Sequence, residues 1–359
     1  MKSPLADLTD SCGARLAPFA DWRMPAHYGD VGSECDAAVS GAVMRDVSHW
    51  TRLSLTGADH LDFLHRMTTN DVVHLGPGEG CPAVFADNRG RIVDLVGLLR
   101  ATETSTLVVA GPPARERLPA WLERFLFVEK VEVEDLTETT AMVEVQGPRA
   151  AAPIRATLGV DTDAVENFHL LSDVGTSGPW VMRRDGHGCA GVRLVGEPVA
   201  IARHWQALLQ HGVAPLGEEA AEILRVEAGA PAESELNDEH NPWEAGLEGA
   251  IHMNKGCYIG QEVIARLDTY DKVKQRLVGL RVEDGSPAPV GGTAVRAGDR
   301  QVGEITSAIL SPRLGCAVAL AYIRNAYCAP GTPLVISSSS AEGNGIAAEV
   351  VEMPVPAGP

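Results

Sequence analysis

The feature that most constrains the fold is a change of character near residue 275. Beyond it LVGLRVE, TAVRAG, QVGEITSAIL, CAVALAYI, PLVISS and GIAAEVVE follow one another as short β-type runs separated by Gly, Pro, Asp and Ser turns. Six such runs in some eighty residues predict a small barrel or sandwich. Within it Ser337–Ser340 reads as a hairpin loop, and the closing MPVPAGP as a frayed end. The chain therefore divides into a larger region, 1–274, a barrel, 275–353, and a tail, 354–359.

Before residue 275 helices and strands mix. Leu118, Trp121, Leu122, Phe125 and Leu126 fall on one face of a helix over 114–126. Helices are also predicted at 58–68 with Leu61, Leu64 and Met67 inward, at 199–211 with Ile201, Trp205, Leu208 and Leu209 inward and Gly212 as a stop, and at 217–228 with Ala220, Ile223 and Leu224 inward. Strand-like runs fall at 92–99, 105–110, 131–134 and 141–146. Without a regular alternation of long strands and helices, the pattern favours α+β over a doubly wound parallel sheet.

Composition narrows the function. With 48 acidic against 30 basic residues the net charge is −18, which disfavours nucleic acid and anionic membrane surfaces as partners. No apolar run approaches the ~20 residues of a membrane span, and MKSPLADLTDSC lacks a basic and then apolar leader, so the expected location is cytoplasmic. The seven cysteines are widely spaced and never form C-x-x-C, which suggests neither a disulfide framework nor a metal of the chain's own.

Several motifs invite chemistry. GPGEG at 76–80 matches no phosphate-loop pattern and reads as a turn. His240, Glu244, Glu248 and His252 are spaced for one metal-binding helix face, but Pro242, Gly246 and Gly249 interrupt that helix. Ser48-His49 lacks the remainder of a triad. The run K-G-C-Y-I-G-Q-E at 255–262 is richer: Lys255 stands two residues from Cys257 and can stabilise a thiolate, while Gly256 and Gly260 let backbone approach a ligand. The alternative is a glycine-kinked loop with a buried cysteine.

That run resembles the defining motif of the YgfZ folate-binding proteins, whose mitochondrial relatives assist iron-sulfur cluster assembly. FADWRMPAHY at 19–28, DVSHW at 46–50, TTND at 68–71 and LRVEAGAP at 224–231 resemble the wider glycine-cleavage T-protein (aminomethyltransferase) superfamily. The resemblance implies three domains arranged like a cloverleaf, two interleaved α+β subdomains before a C-terminal β-barrel, with a central channel for tetrahydrofolate. It places Arg225, Glu227 and Glu244 along or behind that channel, with Asn70 and Tyr258 among the folate-binding residues. Trp50 offers a stacking face for the pterin. Cys257, Lys255 and Asp94 become the candidates for chemistry.

Two departures matter. Where T-proteins carry paired aspartates this chain keeps only Asp94, and in GHGCAGVRL it has Arg193 where they have a pterin-gripping glutamate. Arginine offers only donors, so the pterin edge must be read differently or bound more weakly. The resemblance thus implies a tetrahydrofolate-binding YgfZ-like protein with iron-sulfur enzymes as partners. The alternatives are a folate-dependent methyl, aminomethyl or methylene transferase acting on a small molecule, and a member that has lost folate.

Overall fold

The structure, a computed structural model, describes residues 1–172, 178–186, 189–337 and 345–355. The chain divides into two compact units, one comprising Met1–Ala86, Val93–Ala221 and Gly249–Ile259, the other Asp87–Ile92, Glu222–Glu248 and Gly260–Pro359. The second unit thus takes in more chain than the barrel segment read from sequence.

The first unit is built on two five-stranded sheets. In one the order is Trp180–Arg183, Val192–Gly196, Ala141–Gln146, Val43–Asp46 and Ala214–Pro215, antiparallel except for the last pair. In the other it is Gly80–Ala86, Ile92–Thr102, Ser105–Ala110, Thr51–Thr56 and Glu132–Asp135. Period-two alternation gives each strand two faces with different tasks. Val143, Val145, Val192 and Leu194 face a core shared with Ile201, Trp205 and Leu208 of the helix Pro198–Gln210. On the other sheet Leu53, Leu55, Phe85, Leu98 and Val108 pack with Phe63 and Leu64 of His60–Met67, and with Leu118, Trp121 and Leu122 of Ala114–Glu123.

A smaller apolar cluster of Val47, Leu99, Leu107, Val109, Met142, Met182 and Val195 joins residues of both sheets. The helix expected over 114–126 stops at Glu123; Phe125 follows in a turn and still meets the Trp121 ring at 4.9 Å. Its apolar spacing continues past the last helical hydrogen bond, which is why the sequence overstates its length.

In the second unit the six β-type runs close into an antiparallel barrel, in the order Gln275–Val282, Cys316–Arg324, Arg300–Ser311, Ala294–Ala297, Pro333–Ile336 and Ile346–Val351. Cys316–Arg324 is buried on both faces up to its last residue. Ala317, Ala319, Ala321 and Ile323 join one apolar cluster, while Cys316, Val318 and Leu320 pack with Val226 and Val355 in another. The tail is held further than its composition suggested: Val355 is buried and its N–H donates to the Glu227 carbonyl at 2.8 Å. Residues 356–359 and all but Ser337 of the expected Ser337–Ser340 loop lie outside the described residues. No helix among the described residues is long and apolar enough to cross a membrane.

Candidate functional site

The motif around Lys255 and the TTND segment form one structure in the first unit. The helix His60–Met67 ends at Thr68, leaving last-turn carbonyls without intrahelical donors. Lys255 supplies them: its buried Nζ donates to the His65 carbonyl, to Thr68 at 2.6 Å and to Asn70 at 2.7 Å. An ammonium at a helix C-terminus also complements the helix dipole. The Tyr258 ring lies 5.1 Å from Nζ. Further bonds run alongside, Ile259 N–H to Arg66 O at 3.2 Å and Thr69 Oγ1 to Ala250 O at 2.6 Å.

Gly256 fits because a Cβ there would press on His65 Nε2 at 3.3 Å. Gly260, at φ 83°, leaves no room for a Cβ beside the Asp87 carbonyl, which would be 2.4 Å away. Burial draws the Lys255 pKa down to about 8 against the pull of Asp71 and Cys81. The lysine is therefore committed to backbone carbonyls, where the sequence had suggested service to a thiolate. Cys257 itself is exposed, contrary to the buried alternative. Asn70 is occupied as well, donating to Pro82 O at 2.7 Å and accepting from Asp71 N–H at 2.8 Å.

The other concentration of charge lies on the sheet face that carries Met142 and Met182. Glu144 stands between Arg193 and Arg45 of the flanking strands. Arg193, 4 % exposed, donates through Nε at 3.1 Å and through Nη2 to a single oxygen of Glu144, Oε1. The Trp50 ring lies 5.1 Å from its guanidinium. Burial raises the Glu144 pKa, but the charges of Arg193, Arg45 and Arg184 outweigh it and hold the carboxyl down at about 2. Arg45 continues the row to Glu218 through Nε at 2.8 Å, and His49 Nε2 is 3.9 Å beyond. Burial holds the His49 pKa down at about 4, so the ring is neutral near pH 7.

The DVSHW loop that presents Trp50 is fixed from both ends. Asp46 accepts from Ser48 N–H at 2.9 Å and from the Ser3 hydroxyl; fully buried Arg52 donates to Ser48 O at 3.1 Å and Trp50 O at 2.6 Å. Ser48 Oγ accepts from Met142 N–H at 3.0 Å, a structural bond from this loop to the strand Ala141–Gln146. Asp94, buried on Ile92–Thr102, accepts from Arg117 Nη2 at 2.8 Å.

In the second unit the three resemblance-derived residues are bound up internally. Glu227 takes the Ser311 hydroxyl on one oxygen and Arg313 at 2.8 Å on the other. Arg225 divides its donors among Glu222, Ala230 O, Glu235 and Ser307. Glu244 accepts from Asn241 N–H at 3.2 Å, has Arg91 at 3.5 Å, and is raised in pKa chiefly by burial. Glu227 and Arg225 so placed tie residues 222–228 to the barrel strand Arg300–Ser311 within the second unit. The 240–252 segment has only the single turn Glu248–Ala250 as helix, so no continuous helix face carries the four metal-spaced residues.

Glu144, Arg117 and Arg184 escaped the sequence reading. The signal for Glu144 was present: an acid inside AMVEVQ, a strand apolar on both faces, must find a buried cation.

Residues 5–255 match the family model described as GCVT N-terminal domain, and 275–355 that of the glycine cleavage T-protein C-terminal barrel domain. The aminomethyltransferase of Rippkaea orientalis is 30% identical over 344 residues, covering 94% of this chain and 93% of the relative. That of Symbiobacterium thermophilum is 32% identical over 367 residues, covering 98% and 96%. The fold is that of the glycine cleavage system aminomethyltransferase T crystal structure from Bartonella henselae, with TM-score 0.88 at 23% identity over 99% of this chain and 97% of that one.

Proposed function

The chain belongs to the glycine-cleavage T-protein family, and on that premise we propose that it is a folate-dependent one-carbon transferase acting on a small molecule. The observation that carries the proposal is the mostly buried charged row of Glu144 and Arg193, with the Trp50 ring 5.1 Å from the Arg193 guanidinium. This donor set fits a pterin, which presents amide-like donors and acceptors around a planar ring. Tetrahydrofolate, when bound, supplies the nitrogens that carry a one-carbon unit. Glu144 replaces, from the neighbouring strand, the carboxylate lost where Arg193 stands. Asp94, steadied by Arg117, offers a desolvated anion to positive charge developing on the one-carbon group.

The test has two readings on one protein. Calorimetric titration with 5-formyltetrahydrofolate should give a Kd tighter than ~1 mM, and a weaker one would defeat the proposal. Asp94→Asn should leave that affinity within about threefold while lowering turnover of an accepted N-methyl or aminomethyl donor by ~10²-fold or more.

The YgfZ reading retains one specific support, the K-G-C-Y-I-G-Q-E run with Cys257 exposed. Names of relatives favour the transferase instead. A YgfZ-type role predicts that deleting the gene depresses iron-sulfur enzymes and that the Asp94→Asn protein restores them.

A further inference from the structure

The slot beside Arg193 is already filled by a ring of the protein's own. Phe168 lies with its ring against Gly97, where a Cβ would sit 3.2 Å from the ring, so any larger residue would push the ring back from the strand. The Arg184 guanidinium covers the ring at 4.9 Å from its centroid. Leu98, Met182 and Arg193 complete the lining, and the space left over is about 10 Å³, one water molecule's worth.

Phe168 holds this place at φ 72°, a left-handed conformation that bulky residues adopt only under constraint. Two bonds impose it: the Phe168 N–H donates to Arg183 O at 2.9 Å, and the Leu170 N–H to Gly78 O at 2.7 Å. The segment from Val165 to Leu171 contains no helix or named strand. A strained residue in an irregular segment, with its ring between a glycine floor and a cation, is placed to leave and be replaced.

We propose that Phe168 is a built-in plug, and that the pterin ring of a reduced folate enters this slot by displacing it. The incoming ring takes the Gly97 floor and the Arg184 cation, which attracts any π face, with Arg193, held by Glu144, at the wall. Relief of the φ strain offsets part of the cost of expelling Phe168, and binding shifts the population toward the open form. The inference rests on the folate reading and locates its ring within the first unit.

Phe168→Asn tests it, because asparagine tolerates a positive φ while removing the ring. Titrated by pterin fluorescence, the variant should bind a tail-less pterin at least ~10-fold more tightly than the wild type, with affinity for p-aminobenzoylglutamate unchanged. Adding Gly97→Val should abolish the gain. In the wild-type protein, saturating 5-formyltetrahydrofolate should accelerate hydrogen exchange at the Phe168 and Leu170 amides, a readout that survives if the variant misfolds. Unchanged or weaker pterin binding by a folded variant, or slower exchange in the wild type, overturns the plug while leaving folate binding intact. Failure of both proteins to bind 5-formyltetrahydrofolate or pterin removes the folate reading and the plug together.

Discussion

Replacing Lys255 with methionine is expected to lower stability by about 3–5 kcal/mol, whereas Cys257→Ser, two residues away, changes it by no more than about 0.5 kcal/mol. The asymmetry follows from where the two side chains end. Lys255 Nζ is a shared donor for the His65, Thr68 and Asn70 carbonyls, and each buried acceptor left without a partner costs ~1–3 kcal/mol. Methionine keeps much of the stem and none of the donors. Cys257 is exposed, and serine replaces it without stranding a buried group.

Against a total of ~5–15 kcal/mol for a native domain, the lysine variant stands near the edge of folding. Thermal melts of the two variants check the claim directly. Equal small shifts would mean that the lysine carries no structural load and restore its reading as partner of the thiol. Cys257→Ser can then be assayed for activity on a folded protein, which separates reactivity from stability at this motif.

That contrast shows what a sequence conveys and what it hides. The barrel was legible because its signal is local: short β-type runs between turns, each recovered as a strand of the closed sheet. Helix Pro198–Gln210 was legible from Ile201, Trp205 and Leu208, since periodicity alone defines a buried face. Lys255 was read as serving Cys257 because the two are near in sequence, yet its partners lie 185 to 190 positions away. Arg225 and Glu227 look like one constellation on a short segment. On a helix, residues two apart point to different sides, and these two reach Glu235 and Arg313 separately. Glu144 finds Arg193 across a strand pair 49 residues apart, a pairing set by sheet register alone. The same register supplies a carboxylate beside the arginine that had seemed to break the family pattern.

The Glu144–Arg193 pair yields the other large effect. Glu144→Gln removes the only carboxylate that Arg193 contacts among the described residues, leaving a nearly buried guanidinium uncompensated. Breaking a buried pair from one side costs ~3–5 kcal/mol, because the remaining ion keeps its desolvation penalty without its partner. The double variant Glu144→Met with Arg193→Met should recover most of that loss, since a well-packed apolar pair is often as stable as a buried ionic one.

The pH dependence carries the same signature. A carboxyl held at about 2 in the folded chain, against 4.5 ordinarily, contributes stability fully present above pH ~4.5 and lost as pH falls toward 2. The gap between wild type and Glu144→Gln should therefore narrow by about 3 kcal/mol on acidification through that window, and stay constant from pH 5 to 8. A gap that fails to narrow would mean that Glu144 titrates at an ordinary pKa and that the arginines on either side of it do not govern its charge. Folate affinity separates binding from stability: the double variant, though folded, should lose at least ~10-fold for 5-formyltetrahydrofolate, because restored packing does not return the guanidinium to the pocket wall, nor the carboxylate that holds it there.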